Sequence, residues 1–270
     1  YFDTAPHYGL GLSEQRLGAA LAGRPRDEFV VSTKVGRALI PTPERAGERD
    51  DDGFVTPAVF RREWDFSRDG VLRSVEQSLE RLGLDRIDIA YLHDPDDHWD
   101  AASTTGVAAL VELREQGAVG AIGAGMNQSA MLAEFIRRCD IDVVMVAGRY
   151  TLLDRQAEDE LLPVALERGV RVVAAAVYNS GLLSEATVQP GALYQYEAAP
   201  RELLRRAQAM AEACRRLGVT LPDAAVQFPL RHPAVVSAVI GMRTVDEVMS
   251  NVERSRTPIP QELWPELDAI

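Results

Sequence analysis

Several features that would restrict the function of this chain are missing from its sequence. Its 270 residues include only two cysteines, Cys139 and Cys214. Two cysteines are too few for a disulfide framework and favour a reducing compartment such as the cytoplasm. We interpret both as small apolar residues that pack in helices. No apolar run approaches the roughly 20 residues of a membrane-spanning helix, and no metal-ligand spacing appears, so neither a membrane nor a metal is expected.

Clusters of basic residues are missing as well. The chain has 29 Lys and Arg against 41 Asp and Glu, a net charge of −12. A nucleic-acid partner is therefore not expected, because such proteins carry a basic patch or stripe. The acidity is typical of solvated helix faces. The short run from Asp50 to Asp52 is interpreted as a solvated loop.

Strands and helices alternate along almost the whole chain, which predicts a parallel sheet. Seven candidate strands end at Asp3, Lys34, His93, Ile122, Val146, Ala175 and Ile240. Helices are predicted over residues 13–21, 68–82, 104–116, 128–138, 155–167, 200–217, 221–232 and 245–252, with Ser13 suited to cap the first. The connection 35–67 exceeds the usual length of a structureless loop and is predicted to be functional. A closed (β/α)₈ barrel, or TIM barrel, needs eight strands, so we expect the missing one before Tyr1.

Four ionisable residues stand out because of where they fall. Asp3, Lys34 and His93 end three apolar runs, and Tyr8 follows the first run in a short loop. In a barrel of parallel strands all carboxyl ends open on one face, and that face carries the chemistry. Taken singly, each residue has a simpler explanation: a turn or helix cap for Asp3, a snorkelling side chain for Lys34, a turn for His93 and a loop anchor for Tyr8. Their co-occurrence predicts an active site.

The four side chains suit proton transfer in a carbonyl/alcohol couple. A tyrosine has a pKa near 10, and a nearby ammonium such as that of Lys34 favours the phenolate form. Asp3 would hold Lys34 in place, and His93 would orient the substrate oxygen. Oxidation or reduction additionally requires a hydride carrier, which is a nicotinamide or a flavin.

The segments Tyr1-Phe2-Asp3-Thr4-Ala5-Pro6-His7-Tyr8-Gly9, Ser32-Thr33-Lys34 and Tyr91-Leu92-His93 resemble the signature of the aldo-keto reductase superfamily. The family's catalytic Asp, Tyr, Lys and His fall on Asp3, Tyr8, Lys34 and His93. The resemblance covers residues 1–270 as one barrel domain. It implies a (β/α)₈ fold whose first strand–helix unit precedes Asp3, so the chain is expected to be incomplete at its N-terminus.

The same resemblance implies a nicotinamide dinucleotide bound in an extended form. Asn127 would hold the carboxamide, with Met126 where the family usually has Ser, and Ala175 falls where an aromatic residue usually stacks on the nicotinamide. Asn127 would equally suit the cap of the next helix. The loop around Ser180 and Gly181 resembles the segment that wraps the pyrophosphate, although it also reads as an ordinary glycine-containing loop.

The adenosine end of the dinucleotide is assigned by a further resemblance. Its predicted clamp consists of Gly241, Arg243, Thr244, Glu247 and Asn251. NADP-preferring members often carry Arg where Glu247 falls, and an anion there would repel a 2′-phosphate, so NAD is preferred. Arg243 argues for NADP, since it would pair with that phosphate. Glu247 would also suit a surface ion pair.

The substrate is predicted from residues that follow Lys34 and His93. Trp64, His98 and Trp99 suit a sugar, because aromatic rings cover the apolar faces of polyhydroxylated ligands; each Trp would equally serve as a loop anchor. The chain around His93 and Asn127 resembles the L-fucose dehydrogenase (D-threo-aldose 1-dehydrogenase) branch, with pyridoxal 4-dehydrogenase a close relative. The implied reaction is hydride transfer from C1 of an aldose to NAD(P), giving a lactone. Alternatives are a pyridoxal dehydrogenase, a general NADPH-dependent aldehyde reductase, a nicotinamide-sensing regulatory subunit and an inactive fragment.

Overall fold

The computed structural model describes all residues 1–270. Contacts between residues divide the chain into two compact units. The first unit comprises residues 1–126 and 131–145, and the second comprises residues 127–130 and 146–270. The prediction of a single domain over 1–270 remains a prediction.

The first unit is built on parallel strands. They are β1 (Phe2–Asp3), β2 (Val31–Val35), β5 (Ile87–His93), β6 (Val119–Met126) and most of β7 (Val143–Ala147), and they are hydrogen-bonded neighbours in this order. The strand register pairs Asp3 with Ser32, Lys34 with Tyr91 and His93 with Gly125. β2 is buried along its whole length, as expected for a strand covered on both faces. The register therefore brings the ends of β1, β2 and β5 to the same edge of the sheet.

Helices of the first unit follow its strands as the periodicity predicts. They are α1 (Leu12–Leu21), α2 (Arg68–Leu82), α3 (Trp99–Ala101), α4 (Val107–Glu115) and most of α5 (Ser129–Arg138), with a π-helical turn over Ala102–Gly106. The bounds of α2 and β5 are those predicted. Ser67 caps α2 by accepting a hydrogen bond from the Gly70 N–H, and Gly83 ends it in the left-handed region, as is usual for these two residue types.

The N-terminus of α1 differs from the prediction. Gly11, not Ser13, is its N-cap residue, in the left-handed region and without a side-chain cap. Ser13 lies one residue inside the helix, where its hydroxyl accepts a hydrogen bond from Thr4. Glu14 is fully buried and accepts hydrogen bonds from Thr33 and Arg81, each at 2.6 Å. This charged residue therefore ties α1 to β2 and α2 in the core.

The connection between β2 and α2 contains an antiparallel hairpin that periodicity did not reveal. Its strands are β3 (Arg37–Pro41) and β4 (Phe60–Trp64), paired from Arg37 with Trp64 to Pro41 with Phe60. Both strands are partly exposed, so they lack the apolar alternation that marks a half-buried strand. Charged and aromatic side chains of this hairpin border the site described below.

The second unit carries the remaining elements. They are the end of β7, α6 (Leu161–Arg168), β8 (Arg171–Ala175), β9 (Leu193–Tyr194), β10 (Glu197–Ala198), α7 (Arg201–Arg216), α8 (Leu221–Gln227), β11 (Val235–Val239), α9 (Val245–Arg254) and α10 (Leu263–Asp268). β8 and β11 pair in parallel, whereas β9 and β10 form a short antiparallel hairpin.

Two helices predicted in the second unit are shorter than expected. The helix predicted over 155–167 divides into a 3₁₀ turn over Gln156–Glu158 and the α-helix α6. The helix predicted over 221–232 changes to a 3₁₀ turn over Phe228–Arg231. Pro229 lies within that turn, and proline removes a hydrogen-bond donor that an α-helix interior needs. No helix of the structure is long and apolar enough to cross a bilayer.

Candidate active site

Asp3, Lys34 and His93 come together at the carboxyl ends of β1, β2 and β5, as predicted. The Lys34 ammonium is almost fully buried and donates to Asp3 Oδ2 at 2.6 Å and to the Thr4 carbonyl at 2.9 Å. Lys34 lies one residue before the end of its strand, which runs to Val35. A buried ammonium needs such partners, because an unpaired buried charge is strongly destabilising.

A second hydrogen bond fixes the carboxylate of Asp3. Ser32 is completely buried and its hydroxyl donates to Asp3 Oδ1 at 2.5 Å. The Tyr1 hydroxyl lies 2.9 Å from the Ser32 hydroxyl and 3.3 Å from that of Tyr91. Both oxygens of Asp3 are thus engaged, which holds the carboxylate in one orientation toward Lys34.

The charge state of Lys34 results from two opposing effects. Burial lowers the pKa of Lys34, whereas the negative charge and hydrogen bond of Asp3, together with Tyr8, raise it. The net result is a pKa above the usual value. Lys34 therefore remains a cation at physiological pH and places a positive charge beside Tyr8, with its nitrogen 4.7 Å from the centre of the Tyr8 ring.

His93 completes the group. Its ring meets that of Tyr8 edge-on, with centroids 5.9 Å apart and an angle of 89°. Burial, followed by the charges of Lys34 and Arg37, holds the pKa of His93 well below its usual range. The buried Nδ1 atom has no hydrogen-bond partner in the protein. A neutral imidazole with one N–H can donate a hydrogen bond to a substrate oxygen.

His7 belongs to this group although sequence reasoning did not select it. Its ring centroid lies 5.5 Å from that of His93, 5.8 Å from that of Tyr8 and 5.4 Å from that of Phe54. Burial, followed by the charge of Arg37, lowers the pKa of His7 to about 4. The available signal was its place next to Tyr8 in the opening motif.

The aromatic residues predicted to contact a substrate divide into two places. Trp64 stacks on Phe66 and lies near His98, with ring centroids 5.9 and 4.9 Å away. Trp99 instead packs against Phe135, with ring centroids 4.7 Å apart. Its indole also faces a guanidinium, that of Arg138. Trp64 therefore lies against His98, whereas Trp99 packs elsewhere in a way that suits a loop anchor.

The acidic run from Asp50 to Asp52 is not merely solvated, which corrects the prediction. The Asp50 side chain is 3% exposed. It accepts two hydrogen bonds from Arg62 of β4, at 2.6 and 2.8 Å. Asp52 also pairs with Arg62, at 2.9 Å. A buried carboxylate requires this kind of bidentate partner, so the loop is fastened to the hairpin.

In the second unit, the loop over residues 176–181 has an unusual backbone. Ala176, Asn179 and Ser180 have positive φ angles without being glycine, and Gly181 has a φ of 92°. Asn179 is buried and accepts a hydrogen bond from Thr151 at 2.6 Å. Ser180 and Gly181 are exposed. A positive φ angle costs free energy for a residue other than glycine, and such residues cluster at ligand sites. The backbone therefore suits a loop that holds a ligand.

The predicted adenosine clamp lies around the N-terminus of α9. Thr244 is the N-cap and accepts from the Glu247 N–H. Arg243 and Glu247 form an ion pair at 2.8 Å, in which the Arg243 side chain is 88% exposed. Asn251 is buried, and its Oδ1 accepts from the Tyr178 hydroxyl at 2.5 Å. Gly241 is exposed, and a Cβ there would meet no atom within 4 Å.

The three positions that the resemblance linked to the nicotinamide ring lie at or directly after the ends of strands. Asn127 is exposed directly after β6, two residues before α5 begins. Met126 is buried as the last residue of β6. Ala175 ends β8. No group of three or more His, Cys, Asp or Glu side chains is arranged to hold a metal ion.

These donor groups fit a dinucleotide. An exposed guanidinium and the positive end of a ten-residue helix, α9, favour a phosphate. Exposed glycines leave room for close approach of the backbone, and the free amide of Asn127 can pair with a carboxamide. The second unit therefore carries groups that can bind the phosphate and carboxamide of a dinucleotide.

Comparison with known proteins gives consistent matches. The model of the Aldo/keto reductase family matches residues 1–270. D-threo-aldose 1-dehydrogenase from Pseudomonas sp. is 49% identical over 99% of this chain and 82% of its own length. Pyridoxal 4-dehydrogenase from Microbacterium luteolum is 39% identical over 98% of this chain and 82% of its own.

A solved structure supports the same fold. Aldo-keto reductase AKR11C1 from Bacillus halodurans, in its holo form, superimposes with a TM-score of 0.76 at 28% identity. The match covers 99% of this chain and 81% of that protein.

Proposed function

We propose that this chain, which belongs to the aldo/keto reductase family, oxidises an aldose at C1 with NAD and releases a lactone. Membership confirms the predicted family, the enzyme class and the (β/α)₈ fold. Enzymes of this family act on small molecules with a nicotinamide dinucleotide. The observation that carries the proposal is the 49% identity to a D-threo-aldose 1-dehydrogenase over nearly the whole chain. L-Fucose and D-arabinose are the proposed substrates.

Asp3, Tyr8, Lys34 and His93 are proposed to carry the acid–base chemistry. Tyr8 takes the proton of the anomeric hydroxyl, with the Lys34 ammonium 4.7 Å from the centre of its ring. Asp3 is a positioning residue that holds Lys34. His93, kept neutral by its lowered pKa, donates a hydrogen bond to the reacting oxygen. A nicotinamide dinucleotide, when bound, would supply the acceptor for the hydride from C1.

Residues of the second unit are proposed to hold that dinucleotide. Asn127 binds the carboxamide, and Ser180 and Gly181 bind the pyrophosphate. The clamp around α9 binds the adenosine end through Gly241, Arg243, Thr244, Glu247 and Asn251. The carboxylate of Glu247 disfavours a 2′-phosphate by like-charge repulsion, so NAD is the preferred cofactor.

Trp64 and His98 are proposed to cover the apolar face of the sugar. Their rings lie 4.9 Å apart, and Trp64 is 42% exposed. Trp99 was grouped with them from the sequence, but its packing on Phe135 favours an anchoring role. The two free cysteines agree with a location in the cytoplasm, which we propose. We also propose that residues 1–270 form a single domain.

Pyridoxal is the second candidate substrate, because a pyridoxal 4-dehydrogenase is 39% identical to the chain. Its aldehyde, in the cyclic hemiacetal form, also gives a lactone on oxidation. The aromatic rings of Trp64 and His98 would suit a pyridine ring as well as a sugar face.

The test incubates the enzyme with L-fucose, D-arabinose or pyridoxal and either NAD or NADP, and follows formation of the reduced cofactor. We expect NAD-dependent turnover of the two sugars and detection of the lactone. Turnover of pyridoxal alone would replace the first proposal with the second. Tyr8→Phe should lower kcat by about 10²–10⁴-fold, whereas Tyr150→Phe, at a buried tyrosine of the second unit, should leave it near normal. Full activity of Tyr8→Phe would refute the assignment of the acid–base group.

A further inference from the structure

Arg37 and Asp94 form an ion pair beside the proposed acid–base group. Arg37 Nη2 donates to Asp94 Oδ2 at 2.5 Å. The same carboxylate oxygen lies 3.6 Å from His93 Nε2. Asp94 directly follows His93 in the chain, and Arg37 opens the hairpin strand β3. A charged pair therefore lies next to His93 Nε2.

The backbone holds Asp94 in an unfavourable conformation. Its φ angle is 40°, in the left-handed region that non-glycine residues rarely adopt. Its N–H donates to the Gly125 carbonyl at 2.9 Å, which fixes this geometry at the end of β5. Such strain costs free energy and tends to be kept where it directs a side chain into a site.

Burial raises the pKa of Asp94, while the Arg37 charge opposes this rise. Lys34 also acts on this carboxylate, which places the carboxylate within electrostatic reach of the acid–base group.

Arg37 is itself held rigidly on two sides. Its guanidinium lies 4.5 Å from the centre of the Trp64 ring, in a cation–π contact. Its Nη1 lies 3.5 Å from both ring nitrogens of His7. These two contacts hold the guanidinium where it donates to Asp94 Oδ2.

The other oxygen of the carboxylate, Asp94 Oδ1, has no hydrogen-bond partner within the protein, and the side chain is 35% exposed. A carboxylate accepts hydrogen bonds at both oxygens. Asp94 thus keeps an acceptor that a ligand can use.

We propose that Asp94, held by Arg37, selects substrates with a hydroxyl group on the carbon next to the reacting carbon. This inference rests on the proposed function for the position of the reacting oxygen, which His93 Nε2 binds. Asp94 Oδ1 accepts a hydrogen bond from the neighbouring hydroxyl. Two oxygens on adjacent carbons lie close enough together to be contacted by adjacent residues at once. The substrate class is therefore α-hydroxy aldehydes and the corresponding aldoses.

The same geometry disfavours compounds without that hydroxyl. A simple aldehyde would place hydrogen or methyl against a partly buried carboxylate and leave its acceptor unpaired. An enzyme site that pairs with a hydroxyl disfavours an analogue that lacks it, because the partly buried acceptor then loses that hydrogen bond. Arg37 cannot compensate, since its Nη2 already donates to Asp94.

The test compares the reduction of lactaldehyde and propanal, which differ only in the hydroxyl on the second carbon, by the enzyme with reduced cofactor. The wild type should have a kcat/KM for lactaldehyde roughly 10- to 100-fold above that for propanal, the range of one charge-assisted hydrogen bond. In Asp94→Asn this ratio should fall by a similar factor. Asparagine is a suitable replacement because it tolerates a positive φ. Asp97→Asn, at an exposed neighbour, is the matched control and should keep the wild-type ratio.

Two results would overturn the inference. One is a wild-type enzyme without preference for lactaldehyde, including one that reduces neither aldehyde. The other is an Asp94→Asn enzyme whose kcat/KM falls equally for both substrates, which would indicate a structural role. Failure of the proposed function is a separate observation, the absence of L-fucose oxidation. A preference for lactaldehyde that depends on Asp94 would stand even then.

Discussion

The side chain of Arg243 donates two hydrogen bonds to Glu247 Oε1, and its backbone N–H donates a third to Oε2. Arg243 would favour NADP and Glu247 would favour NAD, and in this structure their charges neutralise each other. Arg243 is largely exposed, and exposed ion pairs contribute little to stability. Glu247 therefore offsets the guanidinium that would otherwise attract a 2′-phosphate, which agrees with the proposed preference for NAD.

Glu247→Gln should shift this preference toward NADP. The substitution removes the carboxylate that repels a 2′-phosphate and frees Arg243 to pair with it. We expect the ratio of kcat/KM with NADP to that with NAD to rise about tenfold, because like charges in a binding site disfavour a ligand. Glu202→Gln removes a carboxylate from a comparable exposed pair with Arg205 on α7 and should leave the ratio unchanged. A ratio unaffected by Glu247→Gln would exclude Glu247 from cofactor selection.

Trp64 and Trp99 should respond to substitution in opposite ways. Trp64→Leu removes the ring proposed to cover the sugar, and we expect KM for L-fucose to rise about tenfold, in keeping with stacking of roughly 1 kcal/mol. Trp99→Leu leaves a gap against Phe135, and we expect the free energy of unfolding to fall by about 1–3 kcal/mol with KM little changed. Steady-state kinetics and urea unfolding measure the two effects. Equal KM changes in both variants would contradict the separation.

Gly18 is predicted to be essential for the packing of α1 on α2. A Cβ at this position would overlap the backbone carbonyl of Leu82, and backbone cannot yield as a flexible side chain can. Gly18→Ala should therefore lower the free energy of unfolding by about 1–3 kcal/mol or more. Gly47→Ala is the matched control, since a Cβ there would meet no atom within 4 Å. Thermal or urea unfolding measures the stability of both variants. Equal stabilities of Gly18→Ala and Gly47→Ala would show that α1 and α2 can move apart to fit the methyl group.

His7 should make stability fall in mild acid. Its pKa is lowered from 6.5 to about 4 in the folded chain, so the unfolded chain binds more protons between these values. The contribution of His7 to the free energy of unfolding is then fully present above pH 6.5 and is lost as pH falls toward 4. The contribution is on the order of 1–2 kcal/mol, below full conversion of the shift because solvent reaches part of the ring.

Urea unfolding at pH 7.5 and pH 4.5 measures this effect. His7→Gln should lose less stability than the wild type between the two pH values. An equal loss in both proteins would assign the acid sensitivity to other groups, such as His93.

Much of the fold was predictable because apolar residues recur along the chain with the period of a helix or a strand. The helix Arg68–Leu82 and the strand Ile87–His93 were predicted with their exact bounds, since each has a clear apolar pattern and each is followed by a polar or glycine residue. The hairpin of β3 and β4 was not, because its strands are partly exposed and its pairing joins residues separated by a long loop. Long-range pairing without apolar alternation leaves no local signal.

The site was predictable to a similar degree. Asp3, Lys34 and His93 meet because parallel strands share an edge, which is a rule of topology. His7, Arg37 and Asp94 join them through side-chain contacts across the chain, and no spacing in the sequence records such contacts. The buried pair of Asp50 and Arg62 was missed for the same reason, since an acidic run in a loop is usually solvated.

The most direct test of the central claim follows the hydrogen on C1. L-Fucose carrying deuterium at C1 is incubated with the enzyme and NAD, and the reduced cofactor is examined by mass spectrometry or NMR. Oxidation at C1 predicts one deuterium in the reduced cofactor for each lactone formed. Reduced cofactor without deuterium, or no reduced cofactor with any aldose, would contradict the assignment of this chain as an aldose 1-dehydrogenase.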